Sequence, residues 1–424
     1  MLEREEQEDK AKGSWQRASG GVALPRGFQA SGVHCGIKKS RRDLALIVSE
    51  KQAQAAGVVT SNLVKAAPVL VTMEHLKSGF AGAIVANSGN ANACTGEAGL
   101  RDARIMAAET ASALGISPQE VLVASTGVIG KPLPIGNIRE GIPVAVSRLS
   151  PEGSSDAAEA ILTTDRTTKE IALKGCISGR DASIGGICKG SGMIHPDMAT
   201  MLGFITTDVA ITPVMLKRAL VQSVDESFNM ITVDGDTSTN DMVIAMANGL
   251  AGNKVIDGEG PDFHEFCLGL QAATASLAKM IVKDGEGATK FVEVRVVRAD
   301  TVEDARRIAK SVASSNLVKT AIFGADPNWG RILAAAGRAG VDFRPDLTDV
   351  YIGDVLVARS GKANGFGEAG AGKASGFDEA CARKALAKTD IEIIIDLNAG
   401  NRSASAWTCD LTYDYVKINA SYTS

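Results

Sequence analysis

The chain has 424 residues, 45% of them hydrophobic, with 45 Lys and Arg against 49 Asp and Glu for a net charge of −4. That apolar content excludes a disordered chain or a disulfide-held miniprotein, and the weakly acidic balance excludes the basic footprint of a nucleic-acid binder. The length suits two or three domain-sized units with sizeable cores.

Residues 1–17 read as a solvated extension of mixed charge. They lack the apolar stretch of a signal peptide and are too acidic for a transit peptide. Strands are predicted at 44–49, 57–61, 83–88 and 121–125, where β-branched residues are flanked by turn formers. A helix is predicted over 99–114, with Met106, Ala107, Thr110 and Leu114 near helical spacing. Another covers 154–162, opening on the cap candidates Ser154, Ser155 and Asp156. Further on, 202–210 and 242–247 read as strands, and 213–228 and 261–282 as helices opened by proline. Residues 290–297 alternate as a half-buried strand, 301–317 form a helix, and 391–397 and 404–411 are strands. There is no fixed-period repeat, and the class is mixed α/β or α+β with layered sheets and helices. The longest apolar runs fall short of the roughly 18 residues a membrane helix needs.

The seven cysteines, at 35, 94, 176, 188, 267, 381 and 409, are odd in number and form no CxxC. They read as reduced thiols in a cytosol-like compartment, used as small buried hydrophobes. The four histidines, at 34, 75, 195 and 264, make no HxxxH or HExxH, so structural or solvent roles are expected and no metal. Gly365 to Gly370 matches GxGxxG, and 367–374 nearly matches a P-loop. The latter ends on Ala374 where a Ser or Thr is needed, and no buried strand precedes either. A flexible glycine-rich surface loop is the expectation, with nucleotide binding as the reading that a thermal-shift test would detect.

The informative stretch is Gly185-Gly-Ile-Cys-Lys189-Gly-Ser-Gly-Met-Ile-His-Pro-Asp-Met-Ala199-Thr200-Met-Leu202. By itself it is an irregular, backbone-exposing loop that sets a hydroxyl beside a lysine at the start of an apolar strand. A turn whose threonine merely begins a strand is an equally simple account.

From Lys189 to Leu202 this stretch resembles the self-cleavage segment of the ornithine acetyltransferases, also called glutamate N-acetyltransferases. So do Gly27-Phe-Gln-Ala-Ser-Gly32, Asn87-Ser-Gly-Asn-Ala-Asn-Ala93, Ser125-Thr-Gly-Val-Ile-Gly130 and Thr163-Thr-Asp165. Asp234-Gly-Asp-Thr-Ser-Thr-Asn-Asp241, Lys283-Asp-Gly-Glu-Gly-Ala-Thr289, Asp326-Pro-Asn-Trp-Gly-Arg331 and the end from Lys417 to Ser424 complete the set, in family order. The resemblance implies a layered helix–sheet–sheet–helix sandwich with a second, smaller α/β domain. It implies that Thr200 attacks the Ala199 carbonyl, that this N-to-O acyl shift gives an ester, and that water hydrolyses the ester, leaving an α chain, 18–199 beyond the extension 1–17, and a β chain, 200–424. Thr200 then becomes an N-terminal nucleophile whose own α-amine serves as base. The implied reaction moves the acetyl group of N-acetyl-L-ornithine to L-glutamate through an acetyl-Thr200 ester.

Residue by residue, the resemblance implies Thr126 and Gly127 as oxyanion donors, and Thr163, Lys189, Thr200, Glu286, Asn419 and Ser424 as substrate contacts. Lys189 suits an α-carboxylate and Glu286 the side-chain amine of ornithine. No resident cofactor or metal is implied; acetyl-CoA is a candidate second donor. Partners are small molecules and the protein's own α and β chains as α2β2, in the cytoplasm, without nucleic acid or membrane. Cys188 stands where the family often has Ala, Met242 where Thr is common, and Ser424 where Thr is frequent. The alternative is a self-cleaving amidase or aminopeptidase of related architecture, in which water accepts the acyl group.

Overall fold

The computed structural model describes residues 13–195, 201–364 and 377–421. Ala199, Thr200 and Ser424, and the glycine-rich run 365–373, lie outside the described residues. The chain forms two compact units, Met1–Asn229 with Asp236–Ile281, and Met230–Gly235 with Val282–Ser424. Both are mixed α/β, in keeping with the expected class.

The first unit is built on a nine-stranded sheet. Its strands are β1 (Gln16–Arg17), β2 (Phe28–Val33), β3 (Leu44–Val59), β4 (Phe80–Asn90), β5 (Val121–Val128), β6 (Lys169–Ile177), β7 (Arg180–Lys189) and β8 (Leu202–Thr207). After β9 (Ile231–Thr232), which belongs to the second unit, β10 (Met242–Ala247) completes it. The order is β1-β6-β7-β8-β10-β3-β4-β5, with β2 paired to β3. Leu44, Leu46, Ala83, Val85, Val121 and Val123 pack on one face with the helices Ala67–His75, Gly96–Leu114 and Ile135–Ser147. Ala45, Ile47, Ile84, Ala86, Leu122 and Ala124 pack on the other, with Ala157, Ala158 and Ile161. This is the two-residue period of a strand, and burial on both faces is why these segments read as unbroken apolar runs.

Several expectations change. The strands expected at 44–49 and 57–61 are one strand, β3, which ends at Val59; its exposed Glu50, Lys51 and Gln52 lie where the register against β4 slips. Gly185 and Gly186 are not in a loop but inside β7, paired to β6 and β8. A Cβ on Gly185 would lie 2.1 Å from the Gly21 carbonyl oxygen, so close packing demands that glycine. The extension does not reach residue 17. Trp15 is 3% exposed, lies over Gly175 and Gly269, and donates from Nε1 to the Glu265 carbonyl at 2.9 Å. Burial of that ring anchors β1 against β6. Lastly, Cys188 and Cys409 are buried, but Cys94, Cys176 and Cys381 are exposed, so the thiols are not a uniform set of buried hydrophobes.

The helix Pro261–Lys283 has the length and composition to cross a membrane, although no single uncharged run revealed it. Some 56% of its apolar window is buried, and Phe266, Leu270, Ala273 and Leu277 are core residues.

The second unit carries a seven-stranded sheet. Here β11 (Phe291–Ala299), β12 (Asp349–Ile352), β13 (Val355–Arg359), β14 (Lys362–Ala363), β15 (Asp390–Asp396) and β16 (Arg402–Cys409) join β9 in the order β14-β13-β12-β15-β11-β16-β9. In β11, Val292, Val294 and Val296 are buried while Glu293 and Arg295 are half-exposed, the alternation read from the sequence. The helix expected over 301–317 stops at Ala313. Ser315 caps a separate helix, Asn316–Phe323, by accepting from the Val318 N–H.

Candidate active site

The register of the first sheet gathers several strand ends on one row. Lys189 on β7 pairs with Leu202 on β8, Leu202 with Met242 on β10, and Met242 with Val59 on β3. The Met242 N–H donates to the Met201 carbonyl at 2.9 Å. Lys189, Met201 and Asp241 thus stand within one residue of the same row. The loop entering β10 ties this row to β5. Asn240 Nδ2 donates to the Ala91 carbonyl at 2.6 Å and to the Ser125 carbonyl at 2.8 Å.

Those two bonds steady the end of β5 that follows, Thr126–Gly127, both half-buried and still paired to β4. Gly127 has φ +133°, a conformation that side chains rarely adopt. A Cβ there would lie 2.3 Å from the Gly89 carbonyl carbon and 2.5 Å from the Asn90 nitrogen. The end of β5 therefore needs glycine, and its backbone there is set by its parallel neighbour β4.

Asp165 is the hub of a second cluster in the same unit. Its Oδ1 accepts from Lys169 Nζ at 2.7 Å and from the Gly190 N–H at 2.7 Å. Its Oδ2 accepts from the Thr163 N–H at 3.0 Å, faces the Thr163 hydroxyl at 3.5 Å, and lies 3.9 Å from Lys189 Nζ. The Asp165 and Lys169 side chains are wholly buried and that of Lys189 is 10% exposed. Burial by itself would raise Asp165, but the ammonium groups of Lys189 and Lys169 override it and hold the carboxyl well below its ordinary range. At 3.9 Å the Lys189–Asp165 pair is Coulombic and too long for a hydrogen bond, so the Lys189 donors are not taken up by this carboxylate.

Asp241 behaves in the opposite way. It is fully buried, and burial pushes its carboxyl far up, against opposing hydrogen bonds from Ser238 and the charge of Lys189. Its Oδ2 has no hydrogen-bond partner among the described residues.

In the second unit, Glu286 is 8% exposed and accepts from Asn419 Nδ2 at 2.8 Å. Thr412, which caps the helix Tyr413–Ala420, donates from its hydroxyl to the Gly287 carbonyl at 2.8 Å. This bond joins the loop bearing Glu286 to the helix bearing Asn419. Of the residues singled out from the sequence, the structure brings together Thr163 with Lys189, and Glu286 with Asn419.

The ArgJ family model matches residues 29–424. The chain belongs to the ArgJ family. A relative named arginine biosynthesis bifunctional protein ArgJ, from Symbiobacterium thermophilum, is 53% identical over 407 residues, 95% of this chain and 98% of its own. The protein of that name from Bacillus subtilis is 47% identical, over 96% and 97%. Among solved structures, the Bacillus halodurans ArgJ is 43% identical with a TM-score of 0.42, covering 44% of this chain and 98% of its own. The Mycobacterium tuberculosis ornithine acetyltransferase complexed with ornithine is 41% identical with a TM-score of 0.41, covering 44% and 100%.

Four polar residues of this candidate site had no role assigned from sequence: Asp165, Lys169, Asn240 and Asp241. Asp165, Asn240 and Asp241 lay inside motifs already quoted, but nothing in a linear motif says which member is buried. Lys169, four residues after Asp165, opens β6, where a lysine ordinarily reads as a solvated strand end.

Proposed function

We propose that this chain is an acetyltransferase of arginine biosynthesis, moving the acetyl group of N-acetyl-L-ornithine to L-glutamate and also accepting acetyl-CoA as donor. The observation that carries the reading is the ArgJ family match over residues 29–424, with relatives named bifunctional at about half identity. Acetyl-CoA acts as a co-substrate, and no resident cofactor takes part.

The chain cuts itself between Ala199 and Thr200, water hydrolysing the ester that the Thr200 hydroxyl forms with Ala199, and gives an α chain, 1–199, and a β chain, 200–424. The sheet supports this division. β7 precedes the bond and β8 follows it, and the two are paired, so the cut leaves both products in one sheet. The freed α-amine, with an ordinary pKa near 7.7–8.0, takes the Thr200 hydroxyl proton as the oxygen attacks the acetyl carbonyl. Thr126 and Gly127 donate to the oxyanion. The C–N bond then breaks, and ornithine leaves with that proton on its amine. The amine of glutamate next attacks the ester, losing a proton to the Thr200 amine, and N-acetyl-L-glutamate departs as the hydroxyl is restored.

Lys189 with Thr163 binds the α-carboxylate, and Glu286 with Asn419 the ornithine side chain, while Ser424 closes the site. The working assembly is α2β2 in the cytoplasm. Denaturing electrophoresis and intact mass should show two fragments meeting at 199/200. Thr200→Ala should run as one band and transfer no acetyl group. An intact, fully active wild-type chain refutes the proposal. Hydrolysis without transfer to glutamate would instead indicate an amidase, which nothing in the comparisons favours.

A further inference from the structure

Residues 38–42, Lys-Lys-Ser-Arg-Arg, hold four basic side chains in five positions, a density that no other five-residue window of the chain reaches. Neighbouring like charges repel, so the run works against the fold unless something anionic meets it. It lies between β2 and β3 on a backbone that is held at several points. The wholly buried Asp43 carboxylate accepts from the Cys35 N–H at 2.6 Å and from the Ile37 and Lys38 N–H groups at 2.8 Å each. Asn137 Nδ2 donates to the Gly36 carbonyl at 3.1 Å. Within the run the basic residues divide. Lys38 is half-buried, its Nζ donating to the carbonyls of Leu162 at 2.7 Å and Arg42 at 2.8 Å. Arg42 is paired with Asp156, at 3.0 Å, and with Glu159. Lys39 and Arg41 are exposed on the same braced loop.

The loop borders the candidate site on two sides. Leu162, held by Lys38, immediately precedes Thr163. Gly89, whose backbone packs against Gly127, would bring a Cβ within 3.0 Å of Ile37 and 3.1 Å of Lys38. We propose that this loop is the phosphate-binding subsite for the acetyl-CoA donor, with Lys39 and Arg41 contacting its phosphates. The inference rests on the second-donor reading above. Of the two acetyl donors only acetyl-CoA carries phosphates, and N-acetylornithine, with its cationic side chain, gains nothing from a basic loop. The long pantetheine arm separates those phosphates from the acetyl group, which suits a subsite beside the reacting centre. Arginine offers phosphate a planar fork and lysine a point charge, and a loop already fixed by Asp43 and Asn137 loses little freedom on binding.

The test combines Lys39→Gln with Arg41→Gln in the full-length protein. Both side chains are exposed and neither belongs to the acyl-transfer machinery, so KM and kcat with N-acetylornithine should stay at wild-type values. With glutamate as acceptor, KM for acetyl-CoA should rise about tenfold, the scale of a charge-assisted contact, with kcat changed far less. S-acetylpantetheine, the same thioester without phosphates, should keep its wild-type kcat/KM. Added salt should weaken acetyl-CoA in the wild type more than in the variant. Equal losses for acetyl-CoA and S-acetylpantetheine, or an unchanged KM for acetyl-CoA, overturn the inference and leave acetyl transfer standing. A wild type that uses N-acetylornithine but not acetyl-CoA removes the second donor itself, and this subsite with it.

Discussion

Replacing Gly127 by alanine tests whether the end of β5 is built to a fixed backbone shape. The new methyl would sit 2.3 Å from the Gly89 carbonyl carbon, 2.5 Å from the Asn90 nitrogen and 2.7 Å from the Gly89 oxygen. All three are backbone atoms of β4 and cannot rotate away. Ordinary contact begins near 3.4 Å, so the two strand ends must part by about 1 Å. The residue must also hold φ +133°, at a cost of roughly 1–3 kcal/mol, with overpacking adding a similar amount. A total of about 3 kcal/mol is a large fraction of the stability of a typical domain. Gly130 is the control. It too has a positive φ, +80°, but nothing lies within 4 Å of its would-be Cβ. Gly130→Ala isolates the conformational strain and should cost about 1 kcal/mol. Urea unfolding should place Gly127→Ala well below Gly130→Ala. If Gly127 is an oxyanion donor, turnover should fall by about 10²–10³ in the first and little in the second. Equal midpoints for the two variants, or full turnover in Gly127→Ala, would refute this reasoning.

Asp241→Asn tests the raised carboxyl. Burial raises the folded carboxyl well above its ordinary value of 3.8, so its contribution to stability is fully present below that pH and is lost as pH rises toward the folded pKa. The asparagine variant should therefore gain on the wild type between pH 4 and pH 8 in melting temperature. A difference that is the same at both pH values, or reversed, removes the argument. Trp15→Ala should cost about 3–5 kcal/mol, the range for a buried Trp truncation, read from urea midpoints. A loss below about 1 kcal/mol would return Trp15 to the solvated extension.

Much of the fold was legible because apolar alternation follows burial. The strand expected at 242–247 matches β10, and the helices expected at 99–114 and 261–282 match within three residues. The misreadings share a cause. At Glu50–Gln52 the chain stays extended through exposed polar residues, because its pairing to β2 and β10 holds either side of them. Gly185 and Gly186 looked like loop residues; they are strand residues pressed against Gly21 and Ile205. Trp15, at the edge of a charged extension, finds its burial on residues 160 and more positions away. Local composition cannot report contacts of that range.

The sequence by itself determined the family, the order of motifs and the residue types available for the chemistry, because each motif is a short covalent string. Only the tertiary structure decided which acids hold a charge. Asp165 and Asp241 are the same residue type, and both are buried. Asp165 meets two ammonium groups, which hold its carboxyl below the ordinary range, whereas at Asp241 burial outweighs the Ser238 hydrogen bonds and the charge of Lys189 and pushes the carboxyl up. A carboxyl's charge is set by the dielectric and the charges around it, and the register of β6, β7, β8 and β10 supplies those neighbours from distant parts of the chain.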